Sequence, residues 1–136
     1  MRGARRDFPF QHVIVVATLV LNACGTTRAY QGAERTRDEI AVIRAKSADI
    51  ASVDDTVVGL FDNAVELTSG PHVVTLRIAT GLTATAQGDV ELDAKAGSTY
   101  EAHGTFTGFW PTRYWFWIVD TADRAVVAGK KPPPRQ

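Results

Sequence analysis

Apolar residues fall into two regimes along this chain. The first is one run, Val13 to Leu21, interrupted only by Thr18 and preceded by Arg2, Arg5 and Arg6. The second, from Glu39 onward, is a series of short runs rich in Val, Ile, Thr and aromatics, broken by Gly, Asp, Asn or Pro at intervals near 8–12 residues. Alternation with a period of two places neighbouring side chains on opposite faces of a strand, so the second regime predicts an all-β domain.

The runs locate the strands. Glu39–Arg44 is the first, Ala48–Val53 the second, ending in the turn Asp54-Asp55, and Ala64–Leu67 the third, closed by Ser69-Gly70-Pro71. His72–Ile78 alternates cleanly and sends Val74, Leu76 and Ile78 to a buried face. Thr83–Ala86 and Val90–Ala94 flank Gln87-Gly88-Asp89, which suits a hairpin turn, with Val90, Leu92 and Ala94 inward and Glu91, Asp93 and Lys95 outward. Thr99–His103, Tyr114–Val119 and Ala125–Val127 complete the set, with Asp120–Asp123 as the last turn. The expectation is a small β-sandwich-like domain of seven to eight short antiparallel strands; a partly open barrel shares this pattern.

The first regime reads as an address. A positive start followed by about nine apolar-rich residues makes a signal peptide, well short of the ~20 residues that span a bilayer as a helix. Residues 24–37 are polar, carry Gly, Thr, Arg and Glu without periodicity, and predict a flexible tether in which Tyr30 staples the segment to the domain. The organisation expected is therefore a signal peptide over 1–23, the tether over 24–37, the β domain over 38–129 and a basic proline-rich tail over 130–136. Lys130-Lys131-Pro132-Pro133-Pro134-Arg135 favours extended polyproline II chain.

The apolar run ends in Leu21-Asn22-Ala23-Cys24. This stretch resembles the lipobox of bacterial lipoproteins, with Asn22 where that family has a small or β-branched residue. The resemblance implies cleavage before Cys24, diacylglyceryl transfer to its thiol and N-acylation. With Gly25 rather than aspartate next, it further implies anchoring in the outer membrane, facing the periplasm. Cys24 is the only cysteine, so no intrachain disulfide is open to it. Each buried methylene adds about 0.8 kcal/mol of membrane affinity, and two or three chains anchor firmly where one does not.

A second resemblance covers Ile50–Ile78. Val53-Asp54-Asp55, Val58-Gly59, Val65-Glu66-Leu67, Gly70 and His72-Val73-Val74-Thr75-Leu76 are similar to the PEGA-like β-domain pattern, with Asp55 where glycine is usual and Ser69-Gly70-Pro71 where Pro-Gly is usual. It implies a β-sandwich-like scaffold and no shared chemistry.

Charge narrows the partners. The whole chain balances 15 basic against 15 acidic residues, and removing residues 1–23 leaves 12 against 14. A slightly acidic domain lacks the basic face that replaces counterions on phosphates, so nucleic acid is not expected. Expected partners are the membrane, through the lipid on Cys24, and envelope proteins or polysaccharide.

Candidate chemistry concentrates in one place. Phe106, Phe109, Trp110, Tyr114, Trp115, Phe116 and Trp117 fall within twelve residues, among Gly108, Pro111 and Arg113. A small β domain needs large side chains inside, which assigns Trp115 and Trp117 to the core. Phe109 and Trp110, between Gly108 and Pro111, read as a loop, and with Tyr114 and Arg113 they form the candidate platform for sugar rings, a peptide or lipid headgroups.

No catalytic residue is assigned. His72 and His103 are the only histidines after residue 23, and no HxH, HxxxH or Cys-His spacing offers metal ligands. No Gly-x-Ser-x-Gly elbow occurs. The carboxylate pairs Asp54-Asp55 and Asp120/Asp123 suit turns as well as weak Ca²⁺ binding. No cofactor or metal is expected. The reading is a non-catalytic, lipid-anchored envelope lipoprotein that binds through loops and the aromatic segment. The alternatives are a structural or stress-associated protein bracing an assembly by strand pairing, or a soluble periplasmic β domain.

Overall fold

The computed structural model describes residues 25–135. The expected signal peptide and Cys24 lie outside the described residues. Within them the chain forms ten strands and no helix: β1 (Gly25–Arg28), β2 (Ile40–Ala45), β3 (Asp49–Val53), β4 (Thr56–Val57), β5 (Asp62–Thr68), β6 (Gly70–Ala79), β7 (Thr85–Ala94), β8 (Thr99–Thr107), β9 (Arg113–Asp120) and β10 (Val126–Gly129). They build a six-stranded sheet in the order β1-β5-β2-β8-β9-β10 and a four-stranded sheet in the order β4-β3-β6-β7. The two pack face to face as a β-sandwich-like domain.

The core lies between them and follows the alternation. Ala41, Ile43, Val65, Leu67, Tyr100, Ala102 and Ile118 come from the larger sheet. Val74, Leu76, Ile78, Val90, Leu92 and Ala94 come from β6 and β7, on the face the sequence assigns to the interior. Tyr100, almost fully buried, satisfies its hydroxyl by accepting the Lys95 N–H at 3.0 Å.

Four expectations need correction. First, the described residues hold ten strands, not seven to eight. Second, they are not all antiparallel: β1 pairs parallel with β5, and β2 parallel with β8. Between β2 and β8 the chain crosses to the smaller sheet and returns twice, so nothing in a local turn dictates their relative direction. Third, Gly25–Arg28 is not free tether but edge strand β1, aligned on Asp62–Glu66. Backbone pairing holds it, and backbone pairing leaves no apolar periodicity to read. Tyr30 does reach the domain, with its hydroxyl 3.4 Å from Glu66 Oε2.

The fourth concerns Gln87-Gly88-Asp89, which is not a turn. These residues lie inside β7 opposite Arg77, Leu76 and Thr75, and the hairpin bends at 80–84 instead. Gly88 is there for space: a Cβ on it would stand 2.5 Å from the Phe116 ring. Gly104 of β8 crowds the same ring from the other sheet, with its own Cβ position 3.1 Å from Phe116 and 2.6 Å from Ile78. Phe116 thus fills a slot between two glycines.

Strand directions give the sandwich two unlike ends. β2 and β8 run together and β5 and β1 run against them, so Gly25, the 46–48 turn and the 108–112 turn share one end. β6 runs the same way as β8: Tyr100 meets Lys95, beside the start of β6, whereas Gly104 meets Ile78, near its finish. The 80–84 turn therefore joins that end, as does the 58–61 connection leading into β5. The opposite end gathers 29–39, 54–55, Ser69, 95–98 and 121–125.

Candidate functional site

The β8–β9 hairpin carries the aromatic segment. Its ladder runs from Tyr100 opposite Asp120 to Thr107 opposite Arg113, and Gly108–Thr112 close it. Gly108 takes φ +78°, a left-handed conformation that glycine adopts without a side-chain clash, and a Cβ there would lie 2.9 Å from the Pro111 carbonyl oxygen. The Trp110-Pro111 peptide is cis, and the Thr112 hydroxyl donates to the Phe109 carbonyl at 3.2 Å. Thr107 Oγ1 accepts the Trp115 indole N–H at 3.1 Å just below the turn.

This turn displays its two large rings to solvent. Phe109 is 98% exposed and Trp110 92% exposed. Both sit where the sequence places a loop. Arg113 and Tyr114, adjacent on β9, point to opposite faces of the hairpin, as strand geometry requires. The four candidate residues are therefore not one flat platform. Phe109 and Trp110 form the tip, Tyr114 flanks one face and Arg113 the other.

Phe106 belongs beside Tyr114 and escaped assignment. The two are register partners, both about half exposed, on the inner face of the larger sheet. The sequence signal was present: Phe106 stands on the same strand face as Tyr100 and Ala102.

Trp115 and Trp117 correct the expectation that they fill the core. They alternate with Phe116 and Ile118, and it is the latter pair that faces the smaller sheet. Trp117 is only 8% exposed but lies on the outer face, where the His103 ring stacks on it at 5.4 Å and 9°. Trp115 is half-buried on that face, with Lys130 Nζ 5.9 Å from its ring. Each has a cation or imidazole partner instead of core packing.

The outer face of the larger sheet also bears a polar groove of about 640 Å³, lined in part by Arg37, Val42, Arg44, Lys46, Glu66 and Glu101. Three of its charged side chains, Glu101, Glu66 and Arg37, are engaged already. Glu101 receives Arg124 at 2.9 Å and His103 at 3.3 Å, and the Arg124 hydrogen bond is the chief reason its carboxyl is held below the usual glutamate range. Glu66 meets Arg28 at 3.7 Å. Arg37 donates to the carbonyls of Ile40 and Ser98 and to Thr99 Oγ1.

His72 is tied into the opposite end. Its Nδ1 lies 2.8 Å from Asp54 Oδ2 and its Nε2 2.7 Å from the Thr68 carbonyl. Both partners are acceptors for a ring N–H. Asp54, at φ +49°, also accepts the Val73 N–H at 2.9 Å, and its carboxyl is held below the usual aspartate range mainly by His72. This is a turn clamp. Among the described residues no three His, Cys, Asp or Glu side chains converge to hold a metal ion. Comparison with protein-family models, with curated proteins and with solved structures returned no match.

Proposed function

We propose that the protein is a non-catalytic, lipid-anchored envelope lipoprotein, held in the outer membrane through Cys24 and facing the periplasm, that makes its contacts through the β8–β9 tip. The observation that carries the contact surface is the exposure of Phe109 and Trp110 on a turn whose own hydrogen bonds already fix it. Large rings kept in water by a built hairpin cost solvation without contributing to the core, which is the signature of a surface kept for a partner. The anchor is supported by the leader pattern ending in Leu21-Asn22-Ala23-Cys24 and by the lone cysteine.

Bracing by strand pairing has less support. The edge strands are four, four and two residues long in β1, β10 and β4, and the long edge strand β7 carries Asp89, Glu91 and Asp93 on its solvent side. Short or charged edges are poor templates for pairing.

Intact-mass analysis of the membrane-extracted protein beside Cys24→Ala tests the anchor. The expected result is a chain starting at Cys24 with a lipid increment that the variant lacks. An unmodified chain cut elsewhere would leave a soluble periplasmic domain. Phe109→Ala/Trp110→Ala tests the surface: capture of the envelope component should be lost with the melting temperature unchanged. A lowered melting temperature would make the rings structural.

A further inference from the structure

We infer that the end of the sandwich bearing the β8–β9 turn rests on the surface of the bilayer that holds the anchor. This rests on the lipid-anchor reading of Cys24 and names the partner of the aromatic tip.

The first observation is where apolar side chains are left in water. The five most exposed large ones, between 82% and 106% exposed, are Leu60, Phe61, Leu82, Phe109 and Trp110. They occupy three separate connections, 58–61, 80–84 and 108–112, and the topology brings all three to one end. The connections of the opposite end carry Arg35, Asp38, Asp54, Asp55, Lys95, Asp123 and Arg124 instead. Its exposed valines, Val57, Val73, Val126 and Val127, lie within strands, and of these only Val57, at 78%, is more than half exposed.

The second is where the chain comes in. β1 starts at the same end, with Gly25 opposite Asp62. Thr27 Oγ1 donates to Asp62 Oδ2 at 2.5 Å and accepts the Gly59 N–H at 3.2 Å, while the Asp62 N–H closes the turn on the Gly59 carbonyl at 3.0 Å. The first strand is thus fastened to the turn that presents Leu60 and Phe61. One Cα–Cα step of about 3.8 Å separates Gly25 from Cys24. An acylated Cys24 leaves that turn almost no slack above the headgroups.

The third is charge. Arg113 stands at the base of the tip, and the tail bearing Lys130, Lys131 and Arg135 runs up beside Phe106–Gly108. The acids of this end are Asp49 and Asp62, the latter bonded to Thr27. Basic side chains around exposed Trp and Phe match an anionic bilayer interface.

The geometry closes. Register places Gly25 near the rung of His103, so Phe109 stands six residues further out, about 20 Å at 3.3 Å per residue. Three strand spacings, about 14 Å, separate β1 from β8. Strands inclined at roughly 55° to the membrane normal bring Gly25, the Leu60-Phe61 turn and the aromatic tip to one plane.

The test uses the full chain made in bacteria, with Cys24 lipidation read by intact mass. The protein is reconstituted into vesicles of phosphatidylethanolamine and phosphatidylglycerol. Trp110, 92% exposed, is the reporter, and its signal is read as the difference from Trp110→Phe because Trp115 is only half-buried. Brominated acyl chains should quench its emission and aqueous iodide should not, and the bromine quenching should vanish in Trp110→Phe. Iodide quenching of Trp110 in a lipidated protein would overturn the inference and leave the tip open to a protein or polymer. If the chain carries no lipid, the anchor reading falls separately. The same vesicles added to that chain then decide the docking: binding that drops about ten-fold or more in Phe109→Ala/Trp110→Ala supports it, and binding unchanged by the variant overturns it.

Discussion

At the scale of single residues, two sites carry more than their size suggests. Phe116 sits between Gly88 and Gly104, and neither glycine has room for a methyl. Gly88→Ala is expected to cost about 1–3 kcal/mol by overpacking. In a Phe116→Ala background the same change should cost markedly less, because the ring it strikes is gone. Urea unfolding of the four proteins in this cycle measures the coupling, and additive costs would show that Gly88 is needed for something other than space. Asp54 is the second site. Its folded pKa lies below its ordinary value, so its contribution is present above that ordinary value and is lost as pH falls through the folded one. Asp54→Asn keeps an oxygen for the Val73 N–H but loses the charge facing His72, and should lower stability at neutral pH by about 1 kcal/mol. The gap to wild type should close as pH falls below the ordinary aspartate value and through the lower folded one. A gap that persists at the acid end would remove the ion pair as its cause.

At the scale of elements, the strands that were legible are those with one face in the core. β6 alternates into Val74, Leu76 and Ile78, and the structure buries all three. β1 has no such face: Thr26, Thr27 and Arg28 pair through backbone and through the Thr27 hydroxyl, which composition reads as polar tether. Gly88 misled for a related reason, since glycine in sequence signals a turn and here makes room for a ring contributed by residue 116. Trp117 was legible as buried but not as lying on the outer face, because the partner that covers it is His103 on another strand. The tip residues Phe109 and Trp110 were legible because Gly108 and Pro111 bracket them. β1 also yields a prediction. Thr27→Val removes the hydroxyl that joins Asp62 to Gly59, and amide exchange at Ala29, whose N–H donates to Glu66 O at 2.8 Å, should accelerate toward that of a frayed edge. Amides of β6 and β8 should be unaffected. Unchanged exchange at Ala29 would mean that the backbone ladder alone holds the strand.

At the scale of the whole molecule, one core serves two sheets, and neither sheet has another. Ile118 of β9 is fully buried in the same cluster as Val74 and Leu76 of β6 and Leu92 of β7. The chain changes sheet repeatedly, once across the single residue Ser69 between β5 and β6, so neither layer is a continuous segment that forms first and waits. These facts predict that unfolding is a single event. Ile118→Ala should cost about 2–5 kcal/mol, and the loss should be felt equally in both layers. Near-ultraviolet circular dichroism reports the Trp117–His103 stack on the outside of the larger sheet, and amide exchange along β6 and β7 reports the smaller one. The two should show one urea midpoint in wild type and one lowered midpoint in the variant. Separate midpoints would mean that a sheet survives without its partner, and the exposed end loops would then ride on a layer able to move by itself. A shared midpoint means that neither layer unfolds without the other, so that the three connections carrying Leu60, Leu82 and Trp110 and the strand that starts at Gly25 are all borne by one cooperative unit.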